Sequence, residues 1–87
     1  MKLGIDGVTK PNLIERAEEL FRKYPEYMLD ISEVQKKCPV MILRYRSILN
    51  GMGNAIIFDN RKQFDKMSTA YISIYTEIKK LGLYHDE

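Results

Sequence analysis

The chain is short of the residues that most often carry chemistry. Among its 87 residues there is one cysteine and one histidine. A lone Cys38 allows no intrachain disulfide, which fits a reducing compartment and points to the cytoplasm. Set among apolar neighbours and before a proline, Cys38 reads as a small packed residue and not a reactive thiol. His85 lies three residues from the end beside Asp86 and Glu87. General acid–base catalysis needs a held group, and a chain end does not hold one. No Cys/His spacing suits zinc. The Gly-Met-Gly-Asn run at 51–54 lacks the third glycine, the Lys-Ser/Thr pair and the preceding strand of a nucleotide loop. The sequence therefore implies no enzyme, no cofactor and no metal.

Long apolar runs are missing too. Nothing approaches the ~20 residues needed to cross a bilayer, so no membrane is expected. The opening MKLGIDGVTK lacks the apolar core of a signal peptide. Charge is balanced, with 14 basic and 12 acidic side chains. A balance that small does not by itself imply nucleic acid. The distribution is less even. Lys36, Lys37, Arg44, Arg46, Arg61, Lys62 and Lys66 face only Asp59 and Asp65 within residues 36–66.

What is present is helical periodicity. With 45% apolar and 30% charged residues, the composition is that of a folded globular domain. The length suits one domain, residues 1–87, with a thin core. Residues 1–9 alternate single apolar residues with Gly4 and Gly7 and read as a flexible or extended arm. Thr9 is a candidate N-cap and Pro11 suits a first turn. Leu13, Ile14, Ala17, Leu20, Phe21 and Tyr24 then mark one helical face, which Pro25 ends.

Pro25 also opens a second helix, whose face is Tyr24, Met28, Ile31, Val34 and Cys38. At Pro39 this helix either kinks or gives way to a new one, with a kinked core helix preferred. Met41, Ile42, Tyr45, Ile48 and Leu49 continue to about residue 50, where the glycines at 51 and 53 suggest a stop. The AIIF run at 55–58 is a short strand or a buried loop.

From residues 60 to 81 the chain predicts one long C-terminal helix capped by Asp59 or Asn60. Phe64, Met67, Tyr71, Ile74, Ile78 and Leu81 recur at 3 and 4 residues, a heptad seam. Gly82 and Leu83 form the stop and its apolar latch, and residues 83–87 are expected to fray. The fold class is all-α: a small bundle of three to four helices with the arm in front.

Two phrases resemble known families. ISEVQKKC followed by LRYR, within residues 31–46, is similar to the opening of MerR-type regulators. A helix-turn-helix needs three or four turn residues, often with glycine, and here only Pro39 and Val40 intervene. The second resemblance spans most of the chain. An amphipathic helix, then LFRKYPEYMLDI with Tyr24, Pro25, Tyr27 and Ile31, then a glycine-containing connector and a long final helix, resembles the N-terminal part of phage late-gene activators of the ArpU/Rin type. The sigma-like DNA-binding segment of those proteins has no counterpart here. The resemblance implies a phage or mobile-element setting.

Two functions follow as expectations. The first is a non-enzymatic protein-interaction or regulatory module, an inhibitor or adaptor. It would bind a protein partner or self-associate as a homo-oligomer, through Phe64, Met67, Tyr71, Ile72, Tyr75 and Ile78 on the C-terminal helix. That face is too broad for a narrow core, and Tyr and Met suit a surface both apolar and partly wet. The second is a small DNA-binding or transcription-regulatory protein using Lys36, Lys37, Arg44, Arg46, Arg61, Lys62 and Lys66 on nucleic acid.

Overall fold

The computed structural model describes residues 12–85, and within them the chain is all-α. The arm at 1–9, Thr9 and Pro11, and the last two residues of the tail lie outside the described residues. Helix α1 spans Leu13–Lys23, α2 Ile31–Lys37, α3 Pro39–Ile57 and α4 Arg61–Lys80; a single 3-10 turn, Glu26–Met28, lies between α1 and α2. No described residue belongs to a strand, apart from one isolated antiparallel bridge between Leu29 and Tyr84.

The N-cap of α1 is Asn12 and not Thr9. Its Oδ1 accepts from the Glu15 amide at 2.9 Å, and the Glu15 carboxylate accepts from the Asn12 amide at 3.3 Å. This reciprocal capping box satisfies two otherwise orphaned donors. The helix ends at Tyr24, as Pro25 requires.

The expected helix from Pro25 to Cys38 is broken. The chain makes one 3-10 turn, then runs extended through Leu29. Asp30 caps α2, its side chain accepting from the Glu33 amide at 3.2 Å. The break exists because the chain end pairs with it: the Asp30 amide donates to Leu83 O at 2.9 Å, and the His85 amide donates to Met28 O at 2.6 Å. Leu83 is buried. The tail expected to fray from residue 83 is thus docked through His85.

At Pro39 a new helix begins. Cys38 serves as C-cap of α2 and N-cap of α3, with extended-like backbone at φ −141°. Proline takes the first position of α3, where its missing N–H costs no bond.

Helix α3 does not stop at 50. It runs through both glycines to Ile57, so residues 55–57 are helical and not a strand. Its stop is Asp59, at φ 51°. The Asn60 amide donates to Ala55 O at 2.8 Å and the Asp59 amide to Ile56 O at 3.2 Å, the pair of bonds that makes a Schellman motif. Asn60 then caps α4 by accepting from the Gln63 amide at 3.1 Å. Helix α4 ends the same way, with Gly82 at φ 79°, the Leu83 amide on Ile78 O and the Gly82 amide on Lys79 O.

Glycine inside α3 has a packing reason at one position. A Cβ on Gly51 would stand 2.6 Å from Met67 Sδ, so the missing side chain lets α3 and α4 approach. Gln63 Nε2 donates to Gly51 O at 3.0 Å across the same contact. α3 and α4 form the main antiparallel pair; α2 packs on α3 and α1 on α4.

The core runs along α4. Phe64, Tyr71, Ile74, Tyr75 and Ile78 are buried together with Leu13 and Ala17 of α1, Val34 of α2, and Ile42, Tyr45, Met52 and Ala55 of α3. Burying an aliphatic or aromatic side chain contributes about 1.5–3 kcal/mol, so this row supplies most of the apolar stabilisation.

Candidate protein-interaction surface

The residues of the C-terminal seam do not lie on the outside. Phe64, Tyr71, Tyr75 and Ile78 are each no more than 3% exposed in the single chain; Met67 and Ile72 are half-buried at the edges. Only Leu81, at the helix end, is exposed. The breadth that suggested a second partner is used internally, because α1 covers one flank of α4 and α3 the other.

Three tyrosines explain how so polar a seam can be interior. The Tyr71 hydroxyl donates to Tyr24 O at 2.7 Å, and the Tyr75 hydroxyl to Pro25 O at 2.9 Å. The Tyr45 hydroxyl donates to Glu26 Oε2 at 2.7 Å. All three acceptors lie just past the end of α1: the Tyr24 carbonyl, the Pro25 carbonyl, which also accepts the Met28 amide at 3.2 Å, and the Glu26 carboxylate. Tyr24, Pro25 and Glu26 thus form a polar strap over an aromatic cluster. Within the cluster Phe21 meets Tyr71 edge-on at 5.2 Å, Tyr24 meets Tyr75 at 5.4 Å, and Tyr75 meets Tyr84 at 5.9 Å. Burial pushes the Tyr71 phenol up to about 12. Burial also raises Tyr45, reinforced by its bond to Glu26, and burial raises Tyr75, reinforced by Tyr84. All three shifts favour the neutral phenols.

The basic residues are dispersed. Lys36 and Lys37 stand 3.7 and 3.8 Å from the Glu33 carboxylate at the end of α2. Arg61 is 3.7 Å from Asp59 at the α3–α4 turn. Lys62 and Lys66 are exposed on α4. Arg44 and Arg46 are exposed on α3 but two residues apart, hence about 200° apart around the helix axis. They flank its outer face on opposite sides. No helix gathers the seven into one stripe.

That outer face is what sequence reasoning missed. Val40, Leu43, Ile57 and Phe58 are 67%, 65%, 74% and 77% exposed. With Ser47, Asn50 and Asn54, also exposed, the stripe Val40–Leu43–Ser47–Asn50–Asn54–Ile57 recurs at 3 and 4 residues along the solvent side of α3. The signal was in the sequence, but it appears only if α3 continues through its glycines. Beside the stripe lies an open groove of about 420 Å³ between α3 and α4, lined by Val40, Leu43, Arg44, Ser47, Ile48 and Ala70. A second groove, about 550 Å³, runs between α1 and α4 over Leu20, Phe64 and Ile72, with Glu15, Glu19 and Lys23 at its rim. The Ser68 hydroxyl oxygen there is buried without a hydrogen-bond partner.

Among the described residues no cluster of three His, Cys, Asp or Glu side chains could hold a metal ion, and no helix is long and apolar enough to cross a membrane. Cys38 is half-buried. No family model, curated protein or solved structure matches the chain.

Proposed function

We propose that the chain is a small, non-enzymatic protein-interaction or regulatory module, an adaptor or inhibitor in kind, that meets its partner protein through the outer face of α3. One observation carries this reading: Val40, Leu43, Ile57 and Phe58 stand in water on a helix whose other sides are packed. They form two apolar pairs on one face, Val40 with Leu43 at one end and Ile57 with Phe58 about 20 Å along the axis at the other, with Ser47, Asn50 and Asn54 between. Exposed apolar groups rimmed by polar ones mark contact surfaces. The contact is assigned to α3 and not to the C-terminal helix, because the α4 seam is already filled by α1 and α3. The resemblance to phage late-gene activators supports a phage or mobile-element setting for such a module.

The test is a photo-reactive amino acid placed at Leu43, with a control at Glu18 on the exposed side of α1. Protein cross-links from Leu43 and not from Glu18 support the reading. Equal yields from both positions, or none from Leu43, end it.

One observation favours a second reading, a small DNA-binding regulator. α3 carries Arg44 and Arg46 and no carboxylate. Phosphate binding through these residues and Lys36, Lys37, Arg61, Lys62 and Lys66 requires strong salt dependence, with the logarithmic slope falling by about 0.9 for each contact removed. Duplex titration of wild type and Arg44→Ala at two salt concentrations decides it; no binding at low salt excludes this reading.

A further inference from the structure

The outer stripe of α3 matches itself when the helix is turned end over end. Reversal about the level between Ile48 and Leu49 sets Val40 opposite Ile57, Leu43 opposite Asn54, and Ser47 opposite Asn50. At each end Val40 meets Ile57, and one turn further in Leu43 lies over the amide of Asn54. The middle becomes small polar against amide, where a hydrogen bond fixes register. Antiparallel helices with a 3-and-4 spacing pair in this way, and a twofold axis needs a patch that complements itself.

A knob and a hole obey the same register. Phe58, 77% exposed, ends α3 on one side of the midpoint. The groove of Val40, Leu43, Arg44, Ser47, Ile48 and Ala70 opens on the other side. Phe58 lies between nine and ten residues from the midpoint, about 14 Å along the axis. Val40 lies between eight and nine residues from it in the opposite direction. The reversed copy therefore brings its phenyl ring to the mouth of this groove, and the symmetry repeats the contact at the other end.

With two arginines and no carboxylate on each α3, charge opposes the pair, and the spacing limits by how much. In this register Arg44 and its counterpart are separated by nine residues along the axis, about 13 Å, beyond the Debye length at physiological salt. Arg46 and its counterpart are nearer, about 7 Å along the axis, which makes the contact weaker at low salt.

We propose that two copies of the chain pair through α3, antiparallel, with Phe58 of each copy seated in the groove between α3 and α4 of the other. This rests on the reading of the outer α3 face as a protein-contacting surface, and it names the occupant. A contact one helix long is small, so the pair is expected to be weak and is sought from micromolar concentrations upward.

Sedimentation equilibrium of the full chain, from low micromolar to several hundred micromolar, reads the pairing. The mass rises from the 10.2 kDa of one chain towards twice that value, and more readily at physiological than at low salt. Phe58→Glu weakens the pair at least tenfold while leaving helix content and thermal unfolding at low concentration unchanged, since the side chain is exposed. Ser47→Cys with Asn50→Cys, in a Cys38→Ala background, forms an intermolecular disulfide on mild oxidation; Glu18→Cys in the same background does not. A chain that stays monomeric throughout overturns the pairing, as does a dimer indifferent to Phe58→Glu that forms no 47–50 cross-link. Neither result touches the broader reading: cross-links from Leu43 to a different protein would then identify another occupant of the same face.

Discussion

The hydroxyl of Tyr71, in the middle of α4, donates a 2.7 Å hydrogen bond to the carbonyl of Tyr24, the C-cap of α1. One helical turn on, Tyr75 does the same to Pro25 O at 2.9 Å. These bonds tie the end of α1 to α4. Removing the Tyr71 hydroxyl takes from the Tyr24 carbonyl its side-chain donor, a cost of about 1–3 kcal/mol. Pro25 O keeps the Met28 amide when the Tyr75 hydroxyl goes, so that loss is smaller, about 0.5–1.5 kcal/mol. Tyr71→Phe and Tyr75→Phe should each lower the thermal midpoint, by roughly 4–8 °C per kcal/mol in a domain of this size. Differential scanning calorimetry reads this directly, and an unchanged midpoint in both variants would show that the strap holds nothing.

The same burial predicts a pH dependence. A free tyrosine ionises near 10, whereas Tyr71 is pushed up to about 12. Above pH 10 the unfolded chain has lost this proton and the folded chain still holds it, so stability falls as pH rises from about 10 towards 12. Below pH 10 both states are protonated and this group contributes no slope. Denaturant midpoints at pH 8, 10 and 11 should therefore be flat and then decline, and Tyr71→Phe should lessen the decline.

The two helix stops should respond oppositely to substitution. Asp59 holds a left-handed backbone that favours glycine, and Gly82 holds one already. Asp59→Gly is expected to raise stability and Gly82→Ala to lower it, each by about 1 kcal/mol. Urea unfolding of the two variants checks the signs.

Within α3 the two glycines should also separate. Nothing lies within 4 Å of a Cβ built on Gly53, so Gly53→Ala gains helix propensity, about 0.8–1 kcal/mol. Gly51→Ala must move Met67 Sδ, which offsets that gain. The ordering Gly53→Ala above Gly51→Ala, measured by urea unfolding, is the expected result.

The sequence displayed α4 almost in full, because a heptad row between a strong cap and a Gly-Leu stop leaves one reading. α1 was legible to its end at Pro25, and its start was misplaced by three residues because Asn12 with Glu15 makes the better cap. α3 was cut short because glycine is a stop only where the backbone needs a positive φ. Here the chain uses Asp59 for that, and spends Gly51 on closeness to Met67. The break at Leu29–Asp30 had one local signal, the Asp30-x-x-Glu33 cap, but its pairing with Tyr84, more than fifty residues away, had none. The candidate surface was misread for a related reason. Spacing shows which residues share a face, but only the packing of α1 and α3 shows that the α4 face is covered and the outer α3 face is not.

The central point is one of placement: the tyrosine seam of α4 is interior, and the exposed outer face of α3 is the surface proposed to meet protein. Hydroxyl-radical footprinting of the dilute full chain, read residue by residue by mass spectrometry, tests it most directly. The account predicts fast oxidation at Leu43, Ile57 and Phe58, slow oxidation at Phe64, Tyr71 and Tyr75, and protection of the first set alone as concentration is raised or a partner is added. Oxidation of Tyr71 and Tyr75 as fast as that of Phe58 would contradict it.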